Sequence, residues 1–279
     1  MRIDKAQVAQ RFARAHQSYK THAVVQQQIC QQLMAKMQQY IVQQKLSDQS
    51  QLRFENVLEI GCGSGNLTDL LLREFQIQHL TLNDLYAEVL QAYLHNPQST
   101  STQIHGLIGD IEQLDFPQSL DLICSSSALQ WVEDFGALLR KANQALKPQG
   151  YLCFSTFGPQ NLTEIKQLTG QGLHYLSMDA LQQQLKQQGF EVLHCSEQLE
   201  SLSFEHPKQI LQHLKATGVT GTAQGQRWNK TTLTEFYRGY EQFSQQHSSQ
   251  QKVTRSRIIL FIVLHGECHD SSSLFCEWY

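Results

Sequence analysis

The apolar positions change rhythm along the chain. Near the start, Val8, Phe12 and Ala15 recur at helical spacing, and so do Ile29, Leu33, Met37 and Ile41. Residues 1–50 are therefore predicted to be helical, with a polar joint at Ser18–Ala23 and a loop at Ser47–Ser50. From Asn56 short apolar runs alternate with amphipathic stretches. Strands are expected at 57–60, 79–83, 104–108, 119–124, 151–156 and from 190, and helices at 66–75, 85–95, 134–146 and 178–188. Such alternation predicts an α/β fold around a parallel sheet. Residues 205–250 break it, with helices 206–216 and 231–245 around Thr217–Gly221. The expected organisation is an N-terminal helical segment (1–50), an α/β core (51–204), a helical insertion (205–250), a last core strand (251–264) and a tail (265–279) that is expected to be disordered.

Composition narrows the class. Apolar residues make up 41% and charged ones 17%, which suits a globular domain and argues against global disorder. A net charge of −3 predicts no general affinity for nucleic acid or an anionic membrane. No run approaches the roughly 20 apolar residues that span a bilayer, and no signal-peptide pattern is seen at the start. Seven cysteines without a C-x-x-C pair fit a reducing cytoplasm. His265, Cys268, His269 and Cys276 in the tail match no strong metal spacing, so no metal is expected.

The candidate chemistry centres on one loop. Val57–Ile60 runs into Gly61-Cys62-Gly63-Ser64-Gly65, and Leu67, Leu70, Leu71 and Leu72 then mark an amphipathic helix. Bare backbone there lets a ligand approach, and the helix start offers free N–H groups. A dinucleotide fingerprint would place its third glycine where Asn66 stands. Glu59 before the loop would repel phosphate and favours a ligand with an ammonium group. In parallel sheets the ligand crevice lies at the carboxyl ends of the strands. Glu59, Asp84, Asp110, Ser125 to Trp131 and Thr156 all fall there. Asp84, followed by Leu85, can accept two ribose hydroxyls or cap the next helix. Asp110 can accept an adenine amino group while Ile111 packs on the ring, or it is a turn residue. Trp131 offers a flat apolar wall or fills the core.

The stretch Val57 to Thr68 resembles motif I of class I S-adenosylmethionine-dependent methyltransferases. That resemblance implies a Rossmann-like sheet with helices on both faces. It also implies S-adenosyl-L-methionine held by Glu59, Gly61, Gly63, Gly65, Asp84, Leu85, Asp110, Ile111 and Ser125, with Trp131 beside the transferred methyl. Gly109–Leu114, Leu129–Trp131, Val8–Tyr19 and above all Leu211–Thr220 are similar to the malonyl-[acyl-carrier protein] O-methyltransferases of biotin synthesis. This resemblance covers about residue 5 to about 250. It implies methylation of the free carboxylate of a malonyl thioester on acyl-carrier protein, or on malonyl-CoA. No general base is needed, because a carboxylate with a pKa near about 4 is already ionised at neutral pH. Tyr19 and Arg227 are the candidate donors to that carboxylate. The basic excess of Lys208, Lys215, Arg227, Lys230 and Arg238 over Glu205, Glu235 and Glu241 suits an acidic carrier protein. The alternative is a methyltransferase acting on a small free acid or a quinone-type acceptor. The chain departs from the family at Lys20, where an acid is usual, and in its last strand and tail.

Overall fold

The computed structural model describes residues 5, 8, 24–44, 52–94, 101–216, 229–244 and 252–265. Seven strands form one sheet: β1 (Arg53–Ile60), β2 (Gln76–Asp84), β3 (Gln103–Ile108), β4 (Leu120–Ser126), β5 (Leu146–Phe157), β6 (Phe190–Phe204) and β7 (Lys252–His265). Their order is β3-β2-β1-β4-β5-β7-β6. The pairs among β1 to β5 are parallel, and β7 runs antiparallel between β5 and β6. Strand β1 ends in four consecutive buried residues, Val57, Leu58, Glu59 and Ile60. That unbroken burial reflects a central strand covered on both faces.

The helices supply the cover. They are α1 (Val24–Gln44), α2 (Asn66–Glu74), α3 (Glu88–Leu94), α4 (Phe135–Ala145), α5 (Thr163–Thr169), α6 (Met178–Gln187), α7 (Pro207–Ala216) and α8 (Lys230–Ser244). Leu33, Met37 and Ile41 of α1 and Leu67 and Leu71 of α2 share one core with Val57 and Leu80. Leu138 and Leu139 of α4 and Leu181 and Leu185 of α6 share the other with Leu58 and Ile123. Val57 and Leu58 are neighbours in β1, so their side chains point to opposite faces of the sheet. The 21-residue helix α1 thus packs on one face over β4, β5 and β7.

The structure departs from the expected elements in instructive places. Residues 147–150, between the expected helix 134–146 and strand 151–156, are absorbed into β5, which pairs from Leu146 with a register shift between Leu120 and Leu122. Strand β6 continues to Phe204 and pairs along that extension with β7 as far as Lys252. Helix α5 was not expected. It packs with α7 and α8, where Ile210, Leu214, Phe236 and Tyr240 form a separate core with Leu162, Ile165 and Leu168 against them. Gly239 packs closely there: a Cβ on it would stand 2.6 Å from the end of the Leu168 side chain, which would have to shift. No helix among the described residues is long and apolar enough to cross a membrane.

Candidate active site

A cavity of about 130 Å³ opens at the carboxyl ends of the parallel strands. Its floor is the glycine loop. The N–H groups of Gly61 and Cys62 both donate to the carbonyl of Asn83, at 2.9 and 3.0 Å, which ties the loop to the end of β2. Gly61 has φ 69° and lies flush against β4's exit: a Cβ there would come within 2.4 Å of the Ala128 Cβ. At Gly65, φ is 82°, and a Cβ would meet the Tyr93 hydroxyl at 1.7 Å. Both positions need a residue without a side chain.

Three acids ring the cavity. Glu59 is almost fully buried, and the Thr68 hydroxyl donates to it at 2.7 Å. Burial is the main cause that pushes its carboxyl up to about 8; the Thr68 bond opposes that, and Asp84 and Asp69 add to it. Asp84 accepts the Gly63 N–H at 2.8 Å and the Leu85 N–H at 2.7 Å. Burial raises it to about 6 against those backbone bonds. Its carboxylate therefore bridges the loop and the end of β2 rather than capping a helix, and α3 begins only at Glu88. The Tyr86 backbone N–H also reaches this carboxylate, which leaves one of its four lone-pair sites for a ribose hydroxyl. Asp110 accepts Lys5 Nζ on both oxygens, at 2.8 and 2.7 Å. The same ammonium meets Glu112, whose carboxylate also takes the N–H groups of Glu133 and Asp134 at 3.0 and 2.8 Å. Burial lowers the Lys5 pKa, but its bonds to Asp110 and Glu112 outweigh that and leave it raised. Burial likewise raises Glu112, and Lys5 with the two backbone N–H groups leaves it lowered.

Of the expected residues, Glu59, Gly61, Gly63, Asp84, Leu85, Asp110, Ile111 and Trp131 line this one cavity. Two others do not. Ser125 is fully buried, and its hydroxyl donates to the Ile60 carbonyl at 2.9 Å. It ties β4 to β1, while Ser126 and Ser127 line the cavity instead. Gly65 serves the entry to α2 and the packing of Tyr93 rather than the cavity wall. Tyr19 and Arg227 lie outside the described residues. Lys5, Val8, Gln26 and Cys30 line the cavity although nothing in their local pattern marked them as site residues. Their only signal was position on an apolar helical stripe, which reads as core.

The donor set fits an adenosyl sulfonium ligand. Three carboxylates, those of Glu59, Asp84 and Asp110, line the cavity, and the buried Ser64 hydroxyl in the loop wall has no partner. A family model described as a methyltransferase domain matches residues 34–195. The malonyl-[acyl-carrier protein] O-methyltransferase of Acinetobacter baylyi is 46% identical over 243 residues, covering 86% of this chain and 90% of that one. The Haemophilus ducreyi protein of the same name is 37% identical over 244 residues, covering 86% and 90%. Phosphoethanolamine N-methyltransferase 2 of Haemonchus contortus, solved with S-adenosyl-L-methionine, superposes with a TM-score of 0.50 at 16% identity. The match covers 85% of this chain and 53% of that one, and it is a likeness of fold.

Sheet order, glycine loop and acid-lined crevice define a class I S-adenosylmethionine-dependent methyltransferase. Within that class, the chain belongs to the malonyl-[acyl-carrier protein] O-methyltransferase family.

Proposed function

We propose that the chain methylates the free carboxylate of a malonyl thioester carried on acyl-carrier protein, the step that opens biotin synthesis. The convergence of Glu59, Asp84 and Asp110 on one cavity, in a chain 46% identical to a protein of that name, carries the reading. Bound there, S-adenosyl-L-methionine supplies an electrophilic methyl group, which passes to a carboxylate oxygen as its bond to sulfur breaks. Glu59 receives the ammonium, Asp84 a ribose hydroxyl, and Asp110 with Ile111 the adenine. Trp131 walls the methyl end. The chain supplies no base, because the nucleophile is already ionised. Its contribution is alignment and the stripping of water from the carboxylate.

Tyr19 and Arg227 remain the proposed donors to that carboxylate. The segment 205–250 is the proposed carrier-protein side, and 1–50 the proposed cover of the α/β core. The proposed setting is the cytoplasm. Methyl-labelled S-adenosyl-L-methionine offered with malonyl-carrier protein, malonyl-CoA or malonic acid tests the reading. Label should enter the carrier-bound malonyl group fastest. Equal rates on free acids would remove the carrier, and no transfer to any acceptor would remove the enzyme.

A further inference from the structure

Besides Ser64 of the glycine loop, two polar groups in the cavity wall have no partner. The Gln26 Oε1 on α1 and the Ser127 Oγ after β4 are both buried without a hydrogen bond. Both residues line the cavity. A buried polar atom left unpaired is costly, so such a pair lining one cavity points to a ligand.

Their surroundings are otherwise complete. Cys30, one turn along α1 from Gln26, donates its thiol to the Ser126 hydroxyl at 3.3 Å. The Ser126 and Ser155 hydroxyls stand 3.2 Å apart, and Ser155 Oγ accepts the Ser127 N–H at 3.0 Å. This seam holds α1 against the exits of β4 and β5. Ser127 itself has φ 55°, a left-handed conformation that a serine adopts at a cost. Ala128, the next residue, packs against Gly61 of the loop. The wall thus lies beside the loop, at the exit of β4, while Asp110 follows β3, three strands across the sheet.

We propose that the Gln26 amide and the Ser127 hydroxyl bind the acceptor's carboxylate. A hydroxyl donates one hydrogen bond, and half a turn of the Gln26 amide exchanges its acceptor for two N–H donors. Neutral donors suit the task. They orient the carboxylate beside Tyr19 and Arg227 without adding charge to it. This inference rests on the malonyl thioester reading above and adds residues on α1 and after β4 to it.

The experiment uses the full chain with malonyl-carrier protein, and S-adenosylhomocysteine as the probe of the cofactor side. Gln26→Ala should raise KM for malonyl-carrier protein by about tenfold or more, the size of a lost hydrogen bond to a charged group. Gln26→Glu should raise it further, because it sets like charge on the carboxylate. Ser127→Gly removes the hydroxyl while keeping the left-handed backbone, and should raise KM several-fold. In all three the Kd for S-adenosylhomocysteine should stay within twofold, which also shows that the variants fold. Unchanged KM in the variants would overturn the proposal. A weakening of S-adenosylhomocysteine in step with KM would also overturn it, by moving both groups to the cofactor side. Absence of turnover by the unaltered chain on any malonyl thioester is a separate failure, that of the functional reading itself.

Discussion

The Thr68 hydroxyl donates to Glu59 at 2.7 Å beneath the glycine loop, one turn inside α2. The carboxyl that it reaches is almost fully buried. With its pKa near 8, Glu59 is mostly protonated at neutral pH when the cavity holds no ligand. An ammonium beside it favours the ionised form. Binding of S-adenosylhomocysteine at pH 7 should therefore release a proton. Calorimetry in buffers of different ionisation enthalpy should show release approaching one proton, and Glu59→Gln should abolish it.

The same shift acts on stability. Between the ordinary value of 4.5 and about 8, folded Glu59 keeps a proton that the unfolded chain has lost. Stability of the ligand-free chain should thus fall as pH rises through that window, with Asp84 contributing between 3.8 and about 6. Glu59→Gln should flatten the upper part of the slope. Thr68→Val removes a bond that favours the ionised form and should move the slope to higher pH. Thermal unfolding midpoints from pH 5 to 9 read both effects.

At Gly61, alanine would bring a Cβ to 2.4 Å from Ala128 and force it into a left-handed backbone. The conformation alone costs about 1–2 kcal/mol. The loop would shift away from β4, so Gly61→Ala should weaken S-adenosylhomocysteine by about tenfold or more. Gly65→Ala meets Tyr93 instead, and should lower the unfolding midpoint before it weakens the ligand.

Lys5 binds both oxygens of Asp110 and so fixes the carboxylate that faces the adenine place. Oδ1 also accepts the Glu112 N–H, which leaves Oδ2 the freer acceptor. Lys5→Ala should weaken S-adenosylhomocysteine by about threefold to tenfold through a looser Asp110, with little effect on stability for a partly exposed pair. Lys5→Ala and Asp110→Asn should be non-additive by about 0.5–1.5 kcal/mol in a double-mutant cycle.

The central strands were readable as short apolar runs with a polar residue at or next to the carboxyl end, as in β1, β2 and β4. Glu59, Asp84 and Asp110 could be brought together from that pattern alone, since parallel strands share one carboxyl edge. Ser125 could not be separated from Ser126 and Ser127 in the same way. Which of three consecutive serines turns inward depends on where β4 ends, and sequence boundaries are soft by a residue or two. Gln26 and Cys30 were illegible for a different reason. Cys30 finds its partner, Ser126, 96 residues along the chain, and Gln26 is marked only by the cavity it lines. Nothing local on α1 specifies which sheet face it closes. Helix α5 is a single short element whose apolar residues, Ile165 and Leu168, find their core only in α7 and α8.

Those last helices carry the final prediction. Lys208 and Lys215 are exposed on α7, and Lys230 and Arg238 on α8, beside exposed Glu205, Glu235 and Glu241. An acidic carrier protein would be attracted by that excess, mainly through its rate of encounter. The pair Lys208→Glu and Lys215→Glu should raise KM for malonyl-carrier protein by about tenfold at low salt, with a smaller effect at high salt where surface charges are screened. Malonyl-pantetheine brings the same carboxylate without the protein, so its KM should stay within twofold. A loss equal for both acceptors would mean that the substitutions damage the core of Ile210, Leu214, Phe236 and Tyr240 rather than a docking face. Gly239→Ala supplies the comparison for that case, because it crowds Leu168 on α5 and leaves the surface charges in place.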